Sequence, residues 1–166
     1  IDRNTCGIVI AAKNAETLRI INEKIKNHEV EKSYLCITVG RPKPVEGKIA
    51  GFLLKDEAKK QVAFYRRPIP GGKTAVTLYR TLETRGPLSL VECRLLTGRT
   101  HQIRVHMAFL GCPLAGDFLY GTELEALPQR FALHSAALRL RQPVTGEEIA
   151  LSSPLPAALS ALLIAK

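Results

Sequence analysis

The sequence predicts an α+β domain built on a mainly antiparallel mixed sheet with flanking helices. Two pairs of β-rich runs carry that reading. Residues 74–82 and 88–96 flank Glu83-Thr84-Arg85-Gly86-Pro87, and residues 131–140 and 148–151 flank Pro143-Val144-Thr145-Gly146-Glu147, both segments of turn composition. The third observation is that strands outnumber helices and follow one another in hairpins, which favours antiparallel pairing. A length of 166 residues suits one domain with a buried core, and 46% hydrophobic content excludes a disordered chain.

The elements follow in order. Residues 2–7 (Asp-Arg-Asn-Thr-Cys-Gly) form a polar loop that empties into an apolar run, residues 8–12, which reads as a buried strand. Asn14 can cap a helix whose Leu18, Ile21 and Ile25 recur at the spacing of one buried face, with Arg19, Lys24 and Lys26 on its other sides. Residues 32–40 alternate at period two, with Leu35, Ile37 and Val39 on one face and Tyr34, Cys36 and Thr38 on the other. Tyr34 therefore points with small residues, as a side chain beside a binding space or as a buried structural tyrosine. After a turn at 41–44, residues 47–54 read as a strand, and residues 55–73 as a basic, loop-rich connection. Thr100 is the expected cap of a helix beginning at His101, with Ile103, Met107 and Leu110 as its seam and Gly111 and Pro113 as its end. A glycine-rich turn region at 114–121 precedes the last hairpin, and a short helix from Pro156 closes the chain.

Charge narrows the partners. Lys plus Arg number 24 against 15 acids, a net charge of +9, which in one domain fits a polyanion, although a merely basic protein has the same balance. No apolar run reaches the roughly 18 to 20 residues of a membrane helix. The four cysteines lack the close pairing of zinc or thioredoxin-like sites, so a reducing, cytoplasmic setting is expected.

The chemistry-bearing motifs are few. His101 and His106 are five residues apart, which does not place two ligands on one helical face, and there is no HExxH, cysteine pair, GxSxG, Walker loop or GxGxxG before a helix. What remains is Asp2 beside an expected strand, Tyr34, and arginines at the start of a helix. A carboxylate can act as base or nucleophile, and an arginine beside it would aim it.

Read together, these segments resemble the RluA family of pseudouridine synthases. Residues 2–7 are similar to the end of its motif His-Arg-Leu/Ile-Asp-x-x-Thr-Ser-Gly, Lys32-Ser33-Tyr34 to its lysine–x–tyrosine strand, and residues 97–106 (Thr-Gly-Arg-Thr-His-Gln-Ile-Arg-Val-His) to its third signature. Residues 111–120, Leu133-His134 and residues 143–147 follow in the family's order. Two departures stand out: Cys6 occupies a position where serine is usual, and the His-Arg pair, whose arginine helps displace the target base, would precede Ile1. The resemblance thus implies a catalytic domain over residues 1–166 that lacks its N-terminal start and works poorly alone.

It also implies function. The domain would isomerise uridine to pseudouridine in structured RNA, with ribosomal RNA favoured over transfer RNA, as a monomer without metal or organic cofactor. Asp2 would open the glycosidic step as nucleophile or base, Tyr34 would lie against the flipped uracil and assist proton removal, and Arg104 would pair with Asp2. Arg3, Arg99, His101 and Lys73 are the candidate RNA contacts. Two competing readings remain: a catalytically idle RNA-binding relative, and a metallohydrolase using His101, His106 and Asp117.

Overall fold

Long alternating runs of β-branched and aromatic residues leave each strand two faces to cover, and short polar turns let consecutive runs pair directly. The computed structural model describes residues 2–128 and 130–164; Ile1, which precedes the polar loop read above, lies outside them. In chain order the elements are β1 (Cys6–Gly7), α1 (Ala15–Lys26), β2 (Glu31–Val39), β3 (Glu46–Asp56), β4 (Gln61–Tyr65), β5 (Lys73–Arg85), β6 (Leu88–Leu95), α2 (Gln102–Phe109), β7 (Leu133–Arg141), β8 (Glu148–Ser152) and α3 (Ala157–Ile164). All eight strands belong to one sheet of order β1-β7-β2-β6-β5-β3-β4, with β8 also paired to β7. The β1–β7 pair is parallel and the other pairs are antiparallel, so the α+β class with a mainly antiparallel mixed sheet holds.

The core lies on both faces of the central strands. Tyr34, Cys36, Val91 and Cys93 pack with Ile103 and Met107 of α2. Ile37 packs with Leu159 of α3 and with the partly buried Leu88 and Leu90. Neighbouring strand residues point to opposite faces, so these two clusters place α2 and α3 on opposite sides of β2 and β6. The two-faced pattern read for residues 32–40 is therefore buried on both faces, except that Val39 is exposed at the strand end.

Several expected elements differ. Residues 8–12 are not a strand. Cys6 and Gly7 pair with His134 and Ser135, Ile8 N–H still donates to the Ser135 carbonyl at 3.0 Å, and then β8 takes the same edge of β7 from Ala137 onward. With the edge occupied, the segment peels away, and Ile8 and Ile10 pack instead against Val30, Leu138 and Leu140. Asn14 does cap α1, its side-chain oxygen accepting from Thr17 N–H at 2.8 Å, and Ile21 is buried, but Leu18 is half exposed. The basic connection after β3 contains a strand, β4, and the β5–β6 turn contracts to Gly86-Pro87 as β5 runs on to Arg85. Thr100 is not the cap of α2. His101 occupies that position in the left-handed region, at φ 55°, with no side-chain capping bond. Among the described residues no helix is long and apolar enough to cross a membrane.

Candidate active site

Three separate pieces of chain meet around Arg104. The first is the loop before β1. Thr5 N–H donates to the Asp2 carbonyl at 3.0 Å, closing a turn that stands directly on the β1–β7 pairing. That pairing demands glycine at position 7. Its φ is +101°, and a Cβ there would lie 2.2 Å from the Ser135 carbonyl oxygen and 2.9 Å from His134 Nδ1. Cys6 fills the position where the resembled motif has serine, its Sγ 3.4 Å from both the Leu133 carbonyl and His134 Nδ1. His134 in turn is held to the Ser153 carbonyl at 3.0 Å.

The second piece is the turn into α2. With no side-chain cap, Gln102 fastens the turn: its carbonyl oxygen accepts from Thr97 Oγ1 at 2.8 Å and from Arg99 N–H at 3.0 Å. Its amide nitrogen donates to the Val76 carbonyl and to Thr77 Oγ1, so the start of α2 is anchored on β5. One helical turn from His101, Arg104 is buried, 4% exposed, and faces the loop before β1.

The third piece is the loop holding Asp117. Its carboxylate, wholly buried, accepts from Arg104 Nε and Nη2, each at 2.8 Å, and also from Leu119 and Tyr120 N–H. The remaining terminal nitrogen of Arg104 lies 3.5 Å from Asp2 Oδ2. Arg104 therefore does face Asp2 as expected, but its principal partner is Asp117, in a two-pronged geometry that fixes the guanidinium plane. The rings of Phe131 and Tyr120 cover it at 4.2 and 5.0 Å. Burial opposes the Arg104 charge, but the hydrogen bonds and charge of Asp117, with Asp2 behind them, outweigh it and raise its pKa.

His101 is drawn into this centre rather than out to solvent. Its Nε2 lies 3.9 Å from Asp2 Oδ1, and its Nδ1 is hydrogen-bonded to the Tyr120 hydroxyl at 2.7 Å. That hydroxyl also accepts from Val62 N–H at 2.8 Å, tying the centre to β4. Burial pulls the His101 pKa down; Asp2 and Asp117 push it up, and Arg104 and Lys55 push it down again. A non-glycine residue at positive φ is uncommon, and such strain gathers at functional sites.

Tyr34 approaches from β2. It is buried and sits opposite Ser135 in the β2–β7 register. Burial pushes its hydroxyl pKa up, the neighbouring Ser135 side chain pulls it down, and the charge of nearby Asp2 pushes it up. Gly7, Ser135 and Tyr34 are thus successive members of one sheet row, which brings the polar loop and the tyrosine to the same place.

Of the other candidates, Arg3 and Lys73 are exposed, and Arg99 is exposed with its Nε donating to the Thr74 carbonyl at 2.9 Å. The metal reading fails on geometry. Asp117 is committed to Arg104, and His106 points to Thr77 Oγ1 at 2.8 Å, with burial lowering its pKa to about 4. Among the described residues no three His, Cys, Asp or Glu side chains are grouped to hold a metal. Sequence reasoning missed Asp117 as the anchor of Arg104 and Tyr120 as the anchor of His101. Their signal is residues 111–120, which follow in the family's order; there Asp117 is read only as a possible metal ligand and Tyr120 carries no role.

Comparison with known proteins identifies the family. Residues 1–109 match the family model described as RNA pseudouridylate synthase. The chain is 38% identical over 170 residues to an uncharacterized RNA pseudouridine synthase of Chlorobaculum parvum, covering 92% of this chain and 52% of that protein. It is 35% identical to the ribosomal large subunit pseudouridine synthase D of Xanthomonas campestris, covering 99% and 53%. It thus spans about half the length of these curated relatives. The solved structure of human RNA pseudouridylate synthase domain containing 1 superposes with a TM-score of 0.79 at 28% identity, over 97% of this chain and 70% of that one. A polar turn carrying Asp2, a buried arginine aimed at it and a tyrosine on the adjoining strand row thus accompany a match over most of the sequence, and the chain belongs to the RNA pseudouridylate synthase family.

Proposed function

We propose that the protein isomerises uridine to pseudouridine within RNA, with Asp2 as the reacting carboxylate. The observation that carries this reading is the convergence of Asp2 with Arg104, at 3.5 Å, beside the Tyr34–Ser135 row. The reaction is balanced without oxidant or reductant. The bond from ribose C1′ to N1 of the base breaks, the base turns, and C1′ bonds to C5; C5 gives up one proton and N1 gains one. Asp2 would act on the glycosidic carbon as nucleophile or on a sugar proton as base. Arg104, held by Asp117, keeps the carboxylate aimed. Tyr34, whose hydroxyl stays protonated under burial and the neighbouring charge, serves best as a wall against the extruded base.

Extruding a base from its stack costs a few kcal/mol, which a net charge of +9 helps offset through phosphate contacts. A loop or distorted helix lowers that cost, so structured RNA with an unstacked uridine is the favoured substrate. Large-subunit ribosomal RNA is the proposed target, supported by the relative named for that activity. Pseudouridine mapping in ribosomal and transfer RNA from cells lacking the gene separates the two targets.

The deciding experiment follows tritium released from C5-labelled uridine in RNA, using full-length protein. Asp2→Asn should lower release by about a thousandfold or more while RNA affinity stays close to wild type. Near-normal release by that variant would sink the assignment. Tight RNA binding with no release by the wild type would instead mark an idle relative.

A further inference from the structure

Lys32 lies on the same face of β2 as Tyr34. In the β2–β6 register Ser33 faces Arg94 and Tyr34 faces Cys93, so residues 32 and 34 project to one side, about 7 Å apart along the strand. Lys32 is partly buried, and among the described residues it makes no hydrogen bond and no ion pair. Burial pulls its pKa below that of an ordinary lysine, with no carboxylate to offset the loss of water. An unpaired ammonium in such a place is costly, and most lysines avoid it.

Its surroundings explain where a counter-charge would enter. The ammonium rests against Gly98: a Cβ at that position would come 3.2 Å from Nζ. Gly98 belongs to the turn that delivers His101 and Arg104 to the centre. Lys32, Gly98, Thr97, Arg94, Arg139 and Ser152 line an open groove of about 770 Å³. The two carboxylates on that groove do not serve Lys32. Glu92 is engaged by Ser33 Oγ at 3.0 Å, Arg80 at 3.3 Å and Arg94 at 3.7 Å, while Glu31 is exposed at the strand's start. Arg94 and Arg139 are paired with Glu92 at 3.7 Å and Glu148 at 3.5 Å, so among the described residues Lys32 is the groove's lysine or arginine left without a carboxylate.

We infer that Lys32 is a phosphate subsite, taking a backbone phosphodiester of the RNA next to the nucleotide held at Asp2 and Tyr34; this rests on the RNA reading above. A flexible ammonium suits a phosphate as a point charge. Its place on the Tyr34 face and beside the Gly98 turn lets one RNA strand touch Lys32 and the centre together. The contact fixes strand position and carries no base specificity.

The test measures binding of a uridine-containing RNA hairpin by full-length protein across a salt series, in the Asp2→Asn background so that no turnover occurs. Lys32→Met should weaken binding about fivefold to tenfold at low salt and make the slope of log K against log salt shallower by about one. Lys32→Arg should keep the wild-type slope. Acetylation footprinting of the wild type gives a second reading that needs no variant: bound RNA should shield Lys32. An unchanged slope in Lys32→Met, or equal acetylation of Lys32 with and without RNA, would overturn the subsite while leaving the RNA reading intact. No RNA binding by the wild type would bring down both.

Discussion

Arg104 grips Asp117 with two hydrogen bonds of 2.8 Å and reaches Asp2 with its remaining nitrogen at 3.5 Å. The carboxylate that holds the arginine is thus different from the one that it aims. Asp117→Ala leaves a buried guanidinium without its main partner, a loss on the order of 3–5 kcal/mol for pairs of this kind. Urea unfolding should show a midpoint well below wild type. Asp117→Asn, which keeps one acceptor, should lose less stability yet still lose turnover, because Arg104 is then free to swing onto Asp2.

His106 sets an acid limit on the fold. Its folded pKa of about 4 lies below the ordinary histidine value near about 6.5, so the unfolded chain binds the extra proton first. Its contribution is fully present above about pH 6.5 and is lost as pH falls towards about 4. The loss is on the order of 3 kcal/mol, since the group is fully buried. Denaturant unfolding at a series of pH values checks this; His106→Gln should flatten the curve over that window.

Gly7→Ala should act at a distance on the centre. The added methyl meets the Ser135 carbonyl, and the positive φ adds strain of about 1–3 kcal/mol. The expected outcome is a lower melting temperature together with a turnover loss larger than the stability change predicts, because β1 cannot seat and Asp2 moves with it. Equal turnover with lowered stability would show that Asp2 is held by other contacts.

Tyr120→Phe removes the hydroxyl shared by His101 Nδ1 and Val62 N–H. Leaving these groups unpaired costs about 1–3 kcal/mol. His101 should then lose its fixed ring orientation. Nuclear magnetic resonance of the imidazole should report a changed titration, and turnover should fall with little change in RNA affinity.

Much of this was legible in the residues, for physical reasons that differ by element. The β5–β6 hairpin and α1 announce themselves because periodicity and a cap are local properties, as at Asn14. Asp2, Tyr34 and Arg104 were found through ordered motifs, and the structure brings them together. Residues 8–12 misled because strand composition says nothing about whether an edge is free, and here β8 holds it. β4 was hidden by its short length among basic turns. The sequence offers Asp117 only as a metal ligand, because its true partner lies thirteen residues away on another element, a pairing that no helical or strand period encodes. At His101, tertiary contacts with Asp2 and Tyr120 override the capping that Thr100 composition suggests.

The two-residue strand β1 has a bearing on the order in which the site assembles. Asp2 stands on the turn before Cys6 and Gly7, and those two residues are seated on His134 and Ser135, each 128 positions beyond its partner. A nascent chain that has already formed α2 and the Arg104–Asp117 pair still has no surface on which to set Asp2. The loop that carries Asp2 is therefore seated only once β7 is in place, and a pairing of such long sequence separation forms late.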